Sequence, residues 1–137
     1  MRIRPGEPAD LPAIAAIQDA SPEAARWEVA DYLAYDLRVA VMDERIAGFL
    51  ASRTVALLEV ELLNLAVGAD FRRKGIARAL VSDLLSRNSG DIFLEVRASN
   101  QAALNLYKSM GFQEVGSRPA YYQNPLEAAI VMKFHSC

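Results

Sequence analysis

The sequence predicts a mixed α/β fold, with a central, mostly antiparallel sheet of about seven strands and four helices on its faces. The chain divides into seven strand segments and four helical segments in the order β-α-α-β-β-β-α-β-α-β-β, and three of the helical segments carry apolar residues at helical spacing. The turn residues Asp43-Glu44 separate two strand segments, as in a β-hairpin. A helical segment after Gly75 lies between two further strands, which predicts a right-handed, parallel crossover.

Boundary signals place the individual elements. Asp10 before Leu11-Pro12 indicates a helix start with a capping carboxylate. Asn88-Ser89-Gly90 ends the helix that follows Gly75, and Ser99-Asn100 opens the last helix. A second helix is predicted over residues 26–35, and strands over residues 2–4, 37–42, 46–54, 57–67, 92–96, 112–118 and 128–134.

Length and composition exclude several classes of protein. With 137 residues, 53% of them apolar, the chain is expected to form one domain over residues 1–137 and is neither disordered nor fibrous. A net charge of −2 argues against a general nucleic-acid-binding surface. One cysteine, Cys137, and one histidine, His135, favour a reducing cytoplasmic setting and no metal site. Apolar runs are too short for a membrane span.

The fourth predicted strand, residues 57–67, changes phase in its middle. Leu58, Val60 and Leu62 share one face, whereas from Leu63 onward the apolar residues fall on the other. One extra residue, a β-bulge, would keep both sets inward and leave backbone groups near residues 64–67 available to a ligand. The alternative is a central strand buried on both faces, in which the alternation of side chains does not identify an inward face.

A basic loop precedes the helix that starts after Gly75. Residues 72–78 contain four cations, and a helix start offers unpaired N–H groups and a partial positive charge. Gly75 would let a ligand approach the backbone closely. These features describe a phosphate cradle that is neither a P-loop nor a Rossmann fingerprint. The alternative is a solvated basic turn.

The pattern Arg72-x-x-Gly75-x-Ala77, after a strand and before an amphipathic helix, resembles the signature of the GCN5-related N-acetyltransferases. The resemblance implies the fold of that family with a bulged fourth strand, and acetyl-CoA as co-substrate without a metal. It implies that loop amides bind the coenzyme pyrophosphate and that bulge amides bind its pantetheine arm. The coenzyme-binding residues so implied are Arg72, Arg73, Lys74, Gly75, Ile76, Ala77 and Arg78 in the loop, and Leu65, Ala66 and Val67 in the strand.

The second half of the chain resembles the RimI branch, the ribosomal-protein-alanine N-acetyltransferases, through residues 93–100, Leu106-Tyr107, Gly111-Phe112, Tyr121-Tyr122 and 129–132. The sequence departs from this branch at Pro119-Ala120, where the family is more polar. The resemblance implies that Glu95 is the general base and Tyr107 the general acid. Without the resemblance, the alternative for Glu95 is an ordinary ion pair at the end of a strand. Its pKa would be raised by poor solvation or lowered by pairing with Arg97.

Further residues receive roles from the same resemblance. Asn100 would bond the coenzyme arm, although a helix cap explains it equally well. Tyr107 has core packing as its alternative. Trp27, Tyr121 and Tyr122 would border the acceptor, or serve only as packing aromatics.

The basicity of the attacking amine favours one class of acceptor. At pH 7 a lysine amine costs about 3 kcal/mol more to deprotonate than an α-amine, so one carboxylate base favours a protein N-terminus, for example that of a ribosomal protein. The alternatives are a small-molecule amine or a lysine side chain, and, less favoured, a non-catalytic acyl-CoA-binding module. We expect a cytoplasmic monomer or weak dimer with neither nucleic acid nor membrane as partner.

Overall fold

The computed structural model describes residues 1–22, 24–123 and 126–135, so Cys137 lies outside the described residues. Four helices of six residues or more occur in these ranges, three α-helices and one 3-10 helix, Val29–Ala34. The α-helices are α1 (Leu11–Asp19), α2 (Ile76–Arg87) and α3 (Gln101–Ser109). The strands are β1 (Arg2–Pro5), β2 (Asp36–Met42), β3 (Arg45–Ala56), β4 (Glu59–Val67), β5 (Asp91–Arg97), β6 (Gln113–Tyr122) and β7 (Glu127–His135).

The strands form one seven-stranded sheet in the order β1-β2-β3-β4-β5-β7-β6. The β4–β5 ladder is parallel, from Glu59 opposite Asp91 to Glu61 opposite Phe93. The β1–β2, β2–β3, β5–β7 and β6–β7 ladders are antiparallel. The predicted mixed, mostly antiparallel fold with a parallel crossover after Gly75 is therefore confirmed.

The hairpin predicted at Asp43-Glu44 is present, because these two residues alone separate β2 from β3. Both have left-handed backbone conformations, with φ of 53° and 59°. Two successive positive φ values are typical of the type I′ turn, whose twist matches that of paired strands. The β3–β4 connection is equally short, so Leu57 and Leu58 form a turn and β4 starts two residues later than predicted.

The second predicted helix is shorter than expected. Residues 29–34 form a 3-10 helix, whereas residues 26–28 lie outside it. The backbone just before it is held by side chains instead. The carbonyl of Ala25 accepts a hydrogen bond from Asn64 Nδ2, and that of Trp27 accepts one from Gln18 Nε2. These carbonyls are thus withdrawn from a helical ladder.

Helix α1 starts at Leu11 as predicted, but Asp10 does not cap it with its side chain. The Asp10 carboxylate instead accepts hydrogen bonds from Arg4 at 2.8 and 3.0 Å and from the Glu7 amide at 2.8 Å. The contact with Arg4 lowers the pKa of Asp10 below its usual value. The predicted capping role is therefore wrong, and the carboxylate fastens β1 to the turn before α1.

The burial of the β4 side chains alternates without the predicted change of phase. Val60, Leu62, Asn64 and Ala66 are buried, whereas Leu63, Leu65 and Val67 are only partly so. The expected inward turn of the last three residues is therefore wrong. Polar Asn64 takes an inward position because its side chain is fully hydrogen-bonded there. The bulge itself stays a prediction.

The chain contacts divide into two compact units, and one domain over residues 1–137 stays a prediction. The first comprises residues 1–53 and 62–88, with a core centred on Ile14, Tyr32, Val39 and Phe49. In this unit Gly48 lets α2 approach the sheet, since a Cβ there would lie 2.9 Å from the Ala66 carbonyl oxygen and 3.1 Å from Ile76 Cγ2.

The second unit comprises residues 54–61 and those from 89 onward. Helix α3 packs there through Leu104 and Tyr107, and an aromatic row runs from Tyr107 through Phe112 to Phe134. Across both units, the described residues contain no helix of the length and apolarity that a membrane crossing requires.

Candidate active site

The basic loop adopts the backbone shape expected of an anion cradle. A short 3-10 turn, Ala69–Phe71, anchors the loop through buried Phe71, and α2 begins at buried Ile76. Between these anchors Arg73 and Gly75 have positive φ values of 63° and 77°. These two left-handed residues lie directly before the positive end of a 12-residue helix, whose first N–H groups have no partner within the helix. The helix start predicted after Gly75 is confirmed.

The space around Gly75 is open. A Cβ placed on this residue would meet no protein atom within 4 Å. A left-handed φ favours glycine at this position and protein packing does not explain it, which agrees with close approach of a ligand.

The side chains of the loop point outward. Arg72, Arg73, Lys74 and Arg78 are exposed, and Ala77 is partly buried. Arg72 donates from Nη2 to the Ala20 carbonyl at 3.3 Å, so this cation also ties the loop to the end of α1.

The end of β4 offers fewer backbone donors than the sequence suggested. The Leu65 amide donates to Asn64 Oδ1 at 3.0 Å and is therefore already used. The Gly68 amide donates to Ala47 on β3 at 2.7 Å, and successive N–H groups of an extended chain point to opposite edges. Val67 therefore directs its amide away from β3. Coenzyme binding by Leu65, Ala66 and Val67 stays a prediction, with Val67 the best-oriented donor.

Asn64 is the centre of a buried polar network in the first unit. Its Oδ1 accepts from the amides of Ala25, at 3.2 Å, and Leu65. Its Nδ2 donates to the Ala25 carbonyl at 2.9 Å and to the Tyr32 hydroxyl at 2.7 Å. All four hydrogen bonds available to an amide side chain are made. The Tyr32 hydroxyl in turn donates to Gln18 Oε1.

Trp27 lies at the end of this network. Its ring stacks on Tyr32 with centroids 5.5 Å apart, and it meets Tyr35 edge to face at 5.3 Å. Its backbone carbonyl is held by Gln18 at 2.8 Å. These contacts agree with the packing alternative for Trp27, and its role toward an acceptor stays a prediction.

In the second unit, Glu95 is a partly buried carboxylate with an unequal environment at its two oxygens. Its side chain is 18% exposed, and Oε1 lies 3.2 Å from Nη2 of Arg118. Oε2 is buried and has no hydrogen-bond partner among the residues that the structure describes. Burial raises the pKa of Glu95, and the charge of Glu61 adds to this effect, whereas Arg118 and the Tyr121 hydroxyl oppose it.

Two opposite effects on the pKa of Glu95 are expected, and the increase caused by poor solvation is therefore larger than the decrease caused by a nearby cation. Arg97 forms an ion pair with Glu127 at 3.3 Å, and the cation beside Glu95 is Arg118 on β6. Sequence spacing did not reveal Arg118, because the register of β6 against β7 shifts between Glu114 and Gly116, before Arg118 is reached. A second irregular stretch of β6 follows Arg118. Arg118 pairs with Ala129 and Tyr122 with Glu127, so three residues of β6 face one residue of β7.

Pro119-Ala120 forms this irregular stretch. Proline lacks the N–H that a ladder needs and is tolerated because β6 is an edge strand. Ala120 has a φ of 54°, and the local bend brings Arg118 and Tyr121 to the same side. The guanidinium of Arg118 lies 5.3 Å from the Tyr121 ring centroid.

Tyr107 is buried on α3 against Phe112, with ring centroids 5.4 Å apart. Burial raises the pKa of its hydroxyl, to which nearby Tyr122 contributes. The hydroxyl therefore keeps its proton at neutral pH. The position agrees with the packing alternative, and the role of Tyr107 as general acid stays a prediction.

The remaining predicted residues surround the same part of the second unit. Asn100 Oδ1 accepts from the Ala103 amide at 3.2 Å, which is a helix cap, and its proposed contact with the coenzyme stays a prediction. Tyr121 and Tyr122 meet edge to face at 5.1 Å. Arg97 stacks on Tyr122 at 4.6 Å and donates to the Gln123 carbonyl at 2.9 Å, while Glu127 accepts from the Ser99 amide at 2.6 Å.

The predicted residues thus fall into two groups. The loop, the end of β4 and Trp27 belong to the first unit, and Glu95, Asn100, Tyr107, Tyr121 and Tyr122 belong to the second. The described residues contain no cluster of histidine, cysteine and carboxylate side chains suited to a metal ion.

Comparison with known proteins decides the family. Residues 10–112 match the acetyltransferase (GNAT) family. The chain belongs to this family.

The GNAT relatives include the [ribosomal protein bS18]-alanine N-acetyltransferase of Salmonella typhimurium. The two are 44% identical over 96 residues, which are 66% of this chain and 64% of that protein. The N-alpha-acetyltransferase RimI of Mycobacterium tuberculosis is 44% identical over 66 residues, 47% of this chain and 42% of that protein. The matched region thus spans less than two thirds of these relatives' length.

Solved GNAT structures agree over nearly the whole chain. The ribosomal-protein-S18-alanine N-acetyltransferase of Escherichia coli superposes with a TM-score of 0.85 and 32% identity, covering 99% of this chain and 94% of that one. Ard1 of Thermoplasma volcanium gives a TM-score of 0.91 at 27% identity, covering 99% and 97%. Arabidopsis thaliana NAA60, solved with acetyl-CoA, shares the fold with a TM-score of 0.85 at 24% identity, covering 98% of each chain.

Proposed function

We propose that this chain transfers an acetyl group from acetyl-CoA to the N-terminal α-amine of a protein, with an alanine of a ribosomal protein as the preferred acceptor. Membership of the GNAT family supports the reaction class. The names of the bacterial relatives support the acceptor. The observation that carries the proposal is Glu95, a partly buried carboxylate whose pKa is raised and whose Oε2 has no partner among the described residues.

In the proposed reaction the neutral amine attacks the thioester carbonyl, so a C–N bond forms and the C–S bond breaks. Glu95 takes one proton from the amine, directly or through water, because a carboxylate with a raised pKa is a stronger base than an exposed one. The Tyr107 hydroxyl gives a proton to the departing thiolate. The acetyl carbonyl would be polarised by a backbone N–H of β4, for which Val67 is the best-oriented donor.

The coenzyme would be held by backbone more than by side chains. The amides between Arg73 and Arg78, with the positive φ values at Arg73 and Gly75, suit a pyrophosphate. Arg72, Arg73 and Lys74 add positive charge at an exposed surface and raise the rate of encounter with the anionic coenzyme.

An acceptor comparison tests the proposal. Acetyl transfer from acetyl-CoA would be measured with an alanine-initiated peptide, a lysine peptide blocked at its N-terminus, and spermidine. We expect the highest kcat/KM for the alanine-initiated peptide. Equal rates with the two peptides would remove the preference for an α-amine, and transfer only to spermidine would replace it with a small-molecule acceptor. Coenzyme binding without transfer to any acceptor would leave an acyl-CoA-binding module.

A further inference from the structure

The ion pair between Glu95 and Arg118 joins two side chains of very different exposure. Glu95 is 18% exposed, whereas Arg118 is 59% exposed. The Arg118 guanidinium contacts Glu95 Oε1 and the face of Tyr121. The exposed Arg118 guanidinium is readily hydrated when it leaves, whereas the partly buried Glu95 carboxylate stays in place and requires another cation beside it.

The charges around Glu95 make this position selective for a cation. From β4, Glu61 faces it, and from β6, Arg118, Tyr121 and Tyr122. On β7 the residue opposite Glu95 is the uncharged Val131. Arg97 lies against Tyr122, but its charge is compensated by its ion pair with Glu127. Without Arg118, the carboxylates of Glu95 and Glu61 and the hydroxyl oxygens of two tyrosines would therefore attract an ammonium ion.

A peptide α-amine is protonated over much of the neutral pH range, so it reaches Glu95 as an ammonium ion. It loses one proton to solvent before the neutral amine attacks, and the second proton goes to Glu95 during the transfer. Oε1 is already occupied by a guanidinium, and Oε2 is a buried acceptor without a partner in the described chain. An ammonium ion entering here would take over the contact made by Arg118 and offer a donor to Oε2.

We propose that Arg118 occupies the place of the acceptor's ammonium ion beside Glu95 in the free protein, and that a cationic acceptor displaces it. This inference rests on the proposed function and specifies how its site recognises the acceptor. Arg118 is then a positioning and specificity residue. In the free protein, Arg118 keeps Glu95 ionised and excludes weakly bound cations. When the acceptor displaces Arg118, the Glu95 carboxylate becomes more basic and better able to accept a proton.

The decisive comparison is between Arg118→Gln and Lys108→Gln. Each removes one cation from the second unit, but Lys108 pairs with Glu114 at 3.5 Å and not with Glu95. The titration midpoint of the Glu95 carboxyl would be followed by ¹³C NMR. We expect it to rise by about 0.2 to 0.7 pH units in Arg118→Gln, the effect of losing one exposed ion pair, and to stay unchanged in Lys108→Gln. Arg118→Lys should stay near the wild-type midpoint.

Binding is measured without transfer, with coenzyme A in place of acetyl-CoA. We expect an alanine-initiated peptide to bind Arg118→Gln about two- to fivefold more tightly than the wild type, and an N-terminally blocked peptide to bind both equally. An unchanged Glu95 midpoint, or weaker binding of the free-amine peptide to Arg118→Gln, would overturn the proposal. Because these readouts need no turnover, displacement with no subsequent acetylation would contradict the proposed function and leave this inference standing.

Discussion

The Nδ2 atom of Asn64 lies 2.7 Å from the hydroxyl oxygen of Tyr32, and neither residue is open to solvent. This contact joins β4 to the 3-10 helix of residues 29–34, and through the Tyr32 hydroxyl it extends to Gln18 on α1. Three elements distant in sequence therefore depend on one hydroxyl group.

Removing that hydroxyl should be costly. In Tyr32→Phe, one N–H of Asn64 and one oxygen of Gln18 lose their partner in a buried position. We expect the free energy of unfolding to fall by about 2–3 kcal/mol, as for buried polar groups left unpaired. Urea denaturation measures the change. Tyr35→Phe, at a partly buried tyrosine that also contacts Trp27, is the control and should change stability by less than about 0.5 kcal/mol. Equal losses in the two variants would contradict the importance of the network.

Gly75→Val tests the coenzyme loop. The substitution meets no protein atom within 4 Å, but it strains a residue with φ of 77° and places a side chain where the ligand would approach. We expect stability to fall by about 1–2 kcal/mol and affinity for acetyl-CoA to fall at least about tenfold, since hydrogen bonds to a charged group are lost.

Two variants serve as controls for this measurement by calorimetric titration. Gly116→Val also enters open space, but at a glycine without a positive φ, and should keep coenzyme affinity. Arg72→Ala removes an exposed cation and should weaken binding less than Gly75→Val does. A folded Gly75→Val protein with wild-type affinity would contradict the proposed cradle.

Tyr107→Phe tests the general acid. The ring and its contact with Phe112 are retained, so stability and coenzyme affinity should change little. Without the hydroxyl proton, kcat should fall about 10²-fold, the low end for general acid catalysis. Phe112→Leu perturbs the same aromatic contact without removing a hydroxyl. It should lower stability and leave kcat within a few-fold of the wild type. A full kcat in Tyr107→Phe would return Tyr107 to a packing role.

Local patterns predicted most of the fold. The alternation of apolar residues located the strands, the Asp43-Glu44 turn set one hairpin, and Gly75 located the start of α2. The error at Asp10 has a simple cause. The sequence pattern favours a contact with the nearest helix, whereas Arg4 on β1 is a stronger partner and comes close only after folding.

The sequence was less informative wherever a contact spans distant segments. The sequence assigns no role to Asn64, because its partners Ala25 and Tyr32 lie more than 30 residues away. The position of Arg118 could not be predicted, because it depends on a register shift between Glu114 and Gly116, and its contact with Tyr121 depends on the irregular stretch at Pro119-Ala120, a departure from the family. A proline followed by a tyrosine pair on an edge strand is the signal that would have indicated it.

The central claim, that Glu95 accepts the proton of the attacking amine, is tested most directly by the pH dependence of kcat/KM with an alanine-initiated peptide. Because its pKa is raised, Glu95 is ionised and able to act as a base only above that raised value, so wild-type activity should decline as the pH falls through it. Glu114→Gln removes an exposed carboxylate that pairs with Lys108. It is the matched control, and its pH profile should follow that of the wild type. We expect Glu95→Gln to lose about 10²-fold at pH 7 and to recover part of this loss as the pH approaches the pKa of the amine, about 8. Parallel profiles for wild type and Glu95→Gln, with no loss of rate, would contradict the account.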